Sequence, residues 1–249
     1  MCGRFISRST PDELVEQFHV DEVAIPDAAE PDYNVAPRAK VMVVRERDHQ
    51  RVLSRIRWGL VPSWAKEIGI GDRMINARAE TVATKPAYRR AFAKRRCIIA
   101  ADGFYEWKVV GTPTTPKGRP KKQPYFIHRP DDAPMAFAGL WEVWKVPPDQ
   151  VGTAPDDGDG WLRTCVIVTT RANDRLASVH DRMPVVLPES GWERWLDRDL
   201  VDPESLGDLL VPAPDDEFSL HPISTRVNRA VNNDELLISP VPAETPDVG

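Results

Sequence analysis

The sequence predicts a single α+β domain built on a mostly antiparallel, barrel-like β-sheet with scattered helices. Three observations carry this. Apolar, β-branched runs recur along the chain between loops rich in Pro, Gly and Asp, which is the pattern of antiparallel strands. No βαβ alternation and no fixed repeat is present, and no G-x-G-x-x-G or Walker A sequence follows a strand, so Rossmann and P-loop architectures are excluded. The chain has 249 residues and 24 prolines, roughly twice the average share, which favours turns and short elements over a helical bundle.

The elements follow in order. Cys2 to Ile6 reads as a short strand, and Pro11 to Phe18 as a helix that starts where that strand ends. Thr10 is its N-cap, Pro11 suits the first helical position, and Glu13 completes a capping box. VMVVRE (Val41 to Glu46) and RVLSRIRWG (Arg51 to Gly59) flank a polar DHQ turn and form a hairpin. Further strands are expected in CIIAADGFYEWKVV, YFIHR, MAFAGLWEVWKV and WLRTCVIVTT. The stretches GTPTTPKGRPKKQP and PPDQVGTAPDDGDG read as flexible excursions from hairpins. Helices are expected over Pro86 to Lys94, Ala172 to Ser178, Pro188 to Leu196 and Pro203 to Leu210, with a disordered tail in VPAETPDVG.

Composition narrows the function classes. No apolar run approaches the roughly 18 residues of a membrane span, and the first 20 residues lack a signal peptide's apolar stretch. Three cysteines without a C-x-x-C pair form neither a disulfide framework nor a zinc knuckle, so a reducing cytoplasm is expected. Net charge is −5, yet ten acidic and only two basic residues lie from Val201 onward, so the acidity belongs largely to the end of the chain. Upstream, YRRAFAKRRC and PKGRPKK concentrate positive charge, either as phosphate-binding faces or as solvated surface.

Four residues stand out chemically. Removal of Met1 would give Cys2 a thiol and a free α-amine on one carbon frame, a 1,2-aminothiol that condenses with an aldehyde and closes a thiazolidine ring. Read alone, Cys2 is more often an ordinary small residue beside the initiator. Cys97 and Cys165 lie in strand-like apolar runs and read as core. Asn76 in MINARAET suits holding an oxyanion or a hydroxyl, or simply a turn. Glu106, between Tyr105 and Trp107, is either a carboxyl raised toward neutrality or one turned to solvent by strand alternation. His180 follows a short helix, and the other histidines have no metal-site spacing.

Eight ordered motifs connect these residues: MCGRF, YNVAP (Tyr33 to Pro37), RWGLVPSW (Arg57 to Trp64), INARAET (Ile75 to Thr81), CIIAADGFYEW (Cys97 to Trp107), FAGLW (Phe137 to Trp141), TTRAN (Thr169 to Asn173) and HDRMPVVL (His180 to Leu187). In these the chain resembles the SOS response-associated peptidase (SRAP) family from Met1 to about Val227. It departs in a long Pro147 to Gly160 loop and an acidic end. The resemblance implies an SRAP-like domain over 1–227 with a Pro-containing acidic tail over 228–249. It further implies a monomer that binds single-stranded DNA, including junctions with duplex, and links covalently to abasic sites through Cys2, with no metal or cofactor. Asn76, Glu106 and His180 would complete the reacting group, Arg4 and Arg78 would contact phosphates, and Asn34, Trp64 and Trp107 would line the DNA path, the two tryptophans stacking on bases or else packing in the core. The peptidase in the family's name would refer to removal of Met1. Two other readings compete. An N-terminal-nucleophile amidohydrolase also begins Met-Cys-Gly but lacks FYEW and HDRMPVV, and a non-catalytic DNA-binding module has no need of a deprotectable Cys2.

Overall fold

A computed structural model describes residues 2–25, 30–113, 120–152, 154–155 and 157–243. Among these residues thirteen strands run in chain order as β1 (Phe5–Ser7), β2 (Glu22–Ala24), β3 (Asp32–Val35), β4 (Lys40–Arg47), β5 (Gln50–Trp58), β6 (Asn76–Arg78), β7 (Arg96–Ala101), β8 (Gly103–Pro113), β9 (Pro120–His128), β10 (Met135–Lys145), β11 (Trp161–Arg171), β12 (Arg182–Pro184) and β13 (Ser219–Pro222). Four α-helices sit between them: α1 (Pro11–Phe18), α2 (Arg89–Lys94), α3 (Asp174–Ala177) and α4 (Glu189–Leu196).

The expected barrel is a closed ring. β11, β10, β7, β4 and β5 pair in that order, and β5 returns to β11 through the pairs Thr164 with Arg57 and Cys165 with Trp58. Only this closing contact is parallel; the other four joints are antiparallel. A second, antiparallel sheet runs β13, β9, β8, β1, β3. The period-2 alternation of the ring strands sorts their residues into two cores. Val41, Val43, Ile56, Cys97, Ile99, Phe137, Cys165 and Ile167 fill the inside. Met42, Val44, Leu53, Ile98 and Val166 face outward and pack under Leu14, Phe18, Phe92, Trp192 and Trp195 of the helices.

Several expectations shift in detail. Helix α1 has its expected bounds, with Thr10 and Glu13 exchanging the bonds of a capping box. The β4–β5 turn has two residues: Asp48 and His49 take positive φ of 53° and 62°, and Gln50 already pairs with Arg47. The first strand begins at Phe5 because the carbonyl of Cys2 serves a side chain instead of a ladder partner. CIIAADGFYEWKVV is two strands in different sheets, broken at Asp102. The buried Asp102 carboxylate accepts from the backbone N–H groups of Arg8 and Ser9 at 2.6 and 3.0 Å and from the Ser9 hydroxyl, nailing the corner to the turn after β1. Gly103 is required there, since a Cβ would lie 2.2 Å from the Phe126 ring. Strands β8 and β9 extend into the expected Lys-rich loop, whose residues 114–119 lie outside the described residues.

The helices begin later than expected. α2 starts at Arg89, α3 at Asp174 behind the N-cap Asn173, and α4 at Glu189, while Pro203–Leu209 is a 3₁₀ helix. The YRRAFAKRRC run is not one charged face. Arg96 is buried, donating to the carbonyls of Phe92, Ala93, Trp195, Asp197 and Leu200 at the ends of α2 and α4, and burial lowers its pKa to about 10. The chain from Asn228 to Val241 packs against the body: Leu237 is fully buried, Ile223 bridges to Pro240, and the Val241 N–H donates to Pro222. Residues 244–249, most of the expected tail, lie outside the described residues. Among the described residues no helix is long and apolar enough to cross a membrane.

Candidate active site

Strand β11 organises the site from both sides. Along one edge, β6 pairs with it in parallel, Ile167 opposite Asn76 and Thr169 opposite Arg78. Along the other, β12 pairs Arg171 with Arg182, which fixes the loop carrying His180. Strand β8 supplies Glu106 two residues after Phe104, on the face of the second sheet that packs toward the ring interior. The start of the chain lies among these elements.

Cys2 is 0 % exposed, and its thiol approaches the carbonyl of Arg4 at 3.9 Å. The Asn76 Nδ2 donates to the Cys2 carbonyl at 2.8 Å, while the Asn76 Oδ1 is buried with no hydrogen-bond partner among the described residues. The Tyr88 hydroxyl donates to the Asn76 carbonyl at 3.3 Å and adds a second tie on that strand. Burial pushes the Cys2 thiol far above the usual cysteine range, and the nearby Glu106 charge acts in the same direction. Burial also raises the Glu106 carboxyl, with the positive charges of the chain's amino terminus and of His180 partly offsetting it. The buried thiol and carboxyl are therefore both biased toward their neutral, proton-carrying forms.

His180 Nε2 lies 3.9 Å from Glu106 Oε2. At its other nitrogen, Nδ1 accepts the Arg182 N–H at 3.0 Å, with Asp181 Oδ1 at 2.9 Å. In the neutral ring this makes Nε2 the protonated nitrogen, facing Glu106; in the charged ring Nδ1–H turns to Asp181. Arg182 in turn holds Glu80 in a bidentate pair at 2.6 and 3.0 Å and donates to the Thr169 carbonyl at 2.6 Å. The His180 loop is thereby clamped to the segment that follows Asn76.

Cys2, Asn76, Glu106 and His180 thus converge. The residues expected along the DNA path do not all reach solvent. Arg78 is exposed at the end of β6, and Trp64 is 60 % exposed on a separate loop beside Lys66 and Arg73. Trp107 is half-buried, its Nε1 donating to Asn228 Oδ1 at 2.7 Å. Asn34, only 3 % exposed, is used internally. Its Oδ1 accepts from Arg4 Nη1 at 2.6 Å, and its Nδ2 serves the carbonyls of Val227, Arg229 and Asn232 at 3.2, 3.1 and 2.8 Å. Asn34 therefore ties Arg4 to the chain's last packed segment. Sequence reasoning passed over Asp181, Arg182, Glu80 and Asn228. The first three lie inside HDRMPVVL and INARAET, where polar residues beside chosen ones were the available signal; Asn228 had none.

Residues 1–230 match the family described as SOS response associated peptidase (SRAP). The chain belongs to this family. Its similarity to the abasic site processing protein YoqW of Bacillus subtilis is 39 % identity over 238 residues, covering 96 % of this chain and 99 % of that one. The abasic site processing protein YedK of Escherichia coli is 35 % identical over 247 residues, covering 97 % and 100 %. Among solved structures, a protein from Bacteroides thetaiotaomicron superposes with a TM-score of 0.79 at 20 % identity, covering 96 % of this chain and all of that one, a likeness of fold. A phage-related protein from Bordetella bronchiseptica gives 0.63 at 31 % identity, covering 89 % and 94 %. The ring and the second sheet are thus the fold of an SRAP protein.

Proposed function

We propose that this SRAP protein protects abasic sites in single-stranded DNA by linking them covalently to Cys2 once Met1 has been removed. The observation that carries this is the placement of Cys2: the second residue of the chain is sealed at the ring's mouth within a group of one amide, one carboxyl and one imidazole, instead of trailing in solvent.

The chemistry follows from the protonation bias of the site. An abasic deoxyribose is mostly a closed hemiacetal, so a proton must leave its hydroxyl and another must reach the ring oxygen before an aldehyde exists. Glu106 and His180 face each other and supply that exchange. The α-amine of Cys2 then adds to C1′, and loss of water gives the imine. The buried thiol, disfavoured as thiolate, reacts second. Its sulfur bonds to C1′ and its proton ends on the nitrogen, closing a thiazolidine. Asn76 holds the Cys2 carbonyl throughout and keeps its unpartnered Oδ1 for a donor on the amine or sugar.

Because Cys2 is buried, the sugar must leave the stack to reach it, which favours unpaired strands and their junctions with duplex. Exposed Arg78 suits a phosphate contact, so affinity should fall with salt. The test is N-terminal sequencing of protein competent for cross-linking. Finding Cys2 first supports the mechanism; intact Met1 in competent protein removes the amine it requires.

A further inference from the structure

The ring has a second end, and it carries an arginine whose side chain has no polar partner among the described residues. Arg45 on β4 continues the inward row of Val41 and Val43, opposite Val52 of β5. Across the ring the same row holds Trp141, paired with Cys165, then Val143, paired with Arg163. Arg163 precedes Ile167, the partner of Asn76, by four residues, which puts this end about 13 Å down β11 from the Cys2 cluster.

Four arginines gather here, and three are matched. Arg47 pairs with Glu22, Arg95 with Glu142 at 2.8 Å, and Arg163 with Asp157 and Asp159 at 3.3 and 3.0 Å. Among the described residues Arg45 alone of the four makes neither an ion pair nor a hydrogen bond. Its guanidinium stacks over Trp141 at 5.1 Å, with Arg95 at 5.8 Å from the same ring, and its buried Nε has no acceptor. Burial holds this guanidinium below the usual arginine range. The charges of Arg47 and Arg163 push the same way, with Cys97 and Glu22 opposing them less strongly. A cation in that position lacks an anion. The Trp141 ring beside it limits the positions open to the guanidinium, whose parallel N–H groups match an oxyanion.

We infer that the end of the ring opposite Cys2 is an anion site, in which Arg45, held over Trp141 and flanked by Arg47 and Arg163, takes a phosphate group. The source is either free phosphate and phosphomonoesters or the backbone of a nucleic acid that wraps beyond the reacting face. The site is independent of the covalent chemistry at Cys2.

The test uses the full chain labelled with ¹⁵N, titrated with inorganic phosphate at constant ionic strength set by chloride. The arginine Nε–H signal that is missing from Arg45→Met identifies Arg45. That signal should move saturably with phosphate in the wild type and equally in Arg78→Met, which removes a cation from the Cys2 face. Arg45→Lys, which keeps the charge but not the fork, should bind phosphate at least about tenfold more weakly by calorimetry. Adding an intact single-stranded oligonucleotide then separates the sources: movement of the Arg45 signal assigns the site to backbone phosphate, and stillness assigns it to free phosphate. An Arg45 signal indifferent to phosphate, or phosphate binding lost with Arg78 instead, overturns the inference. Cross-linking that fails while Arg45 still responds would count against the Cys2 mechanism alone.

Discussion

The proposed mechanism gives Glu106 and His180 the proton transfers, and each can be tested at the level of one side chain. General acid-base help is worth about 10² to 10⁴ in rate, and the finished thiazolidine needs neither group to persist. His180→Ala and Glu106→Gln should therefore slow adduct formation by about that range in a time course on abasic single strands while leaving the final yield less affected. Glu106 adds two pH signatures. As a base it works ionised, so the rate should fall as pH falls through its raised pKa, and Glu106→Gln should lose that limb. For stability, a carboxyl whose folded pKa is raised contributes fully below its unfolded value of about 4.3 and loses that contribution as pH rises through the folded value. Glu106→Gln should accordingly unfold at higher urea than the wild type at neutral pH, and this difference should vanish in acid. A wild-type advantage at pH 7 would mean that burial does not dominate at this carboxyl. Both residue type and aromatic setting marked Glu106 in the sequence. His180 was marked as well, but its approach to Glu106 at 3.9 Å has no local signal, because residues 106 and 180 are brought together from separate sheets.

At the scale of elements, the packed segment after β13 is tied to β3 and to Arg4. One amide, Asn34 on β3, joins Arg4 to three carbonyls of that segment, and Tyr33 N–H donates to Asn233 Oδ1 at 2.6 Å. Asn34→Ala strands those acceptors in a buried setting, where each unsatisfied group costs about 1–3 kcal/mol. A loss of at least about 2 kcal/mol in urea denaturation is expected, together with weaker DNA affinity through a displaced Arg4. A neutral substitution would show that the other bond of Arg4 Nη1, donated to the Val227 carbonyl at 3.1 Å, holds it by itself. The YNVAP motif made Asn34 conspicuous, but burial depends on a contact some 195 residues distant, which no local pattern encodes. The opposite case is α1, whose capping box is contained within four residues and was legible with both ends correct. The corner at Asp102 lies between. The strand signal on both sides was plain, while the change of sheet rests on bonds to Arg8 and Ser9 that arrive from another strand's turn.

Across the whole molecule, alternation and loop chemistry made a barrel-like antiparallel sheet readable. The ring's closure was not, because β5 and β11 join in parallel over two residue pairs more than a hundred positions apart. The chain after Val227 belongs to this body, so truncation there removes the buried Leu237 and the partners of Asn34 and Trp107. Such a chain should be destabilised by at least about 3 kcal/mol, the cost of deleting one large buried apolar side chain, and a thermal melt equal to that of the full protein would contradict the account. The central claim is the covalent link between Cys2 and an abasic sugar. It is tested most directly by intact mass spectrometry of the protein after incubation with abasic single-stranded DNA and full denaturation. The account predicts a species weighing the protein without Met1 plus the DNA less one water, present in the wild type and absent from Cys2→Ala. No retained adduct, an adduct that still carries Met1, or an equal yield from Cys2→Ala would contradict it.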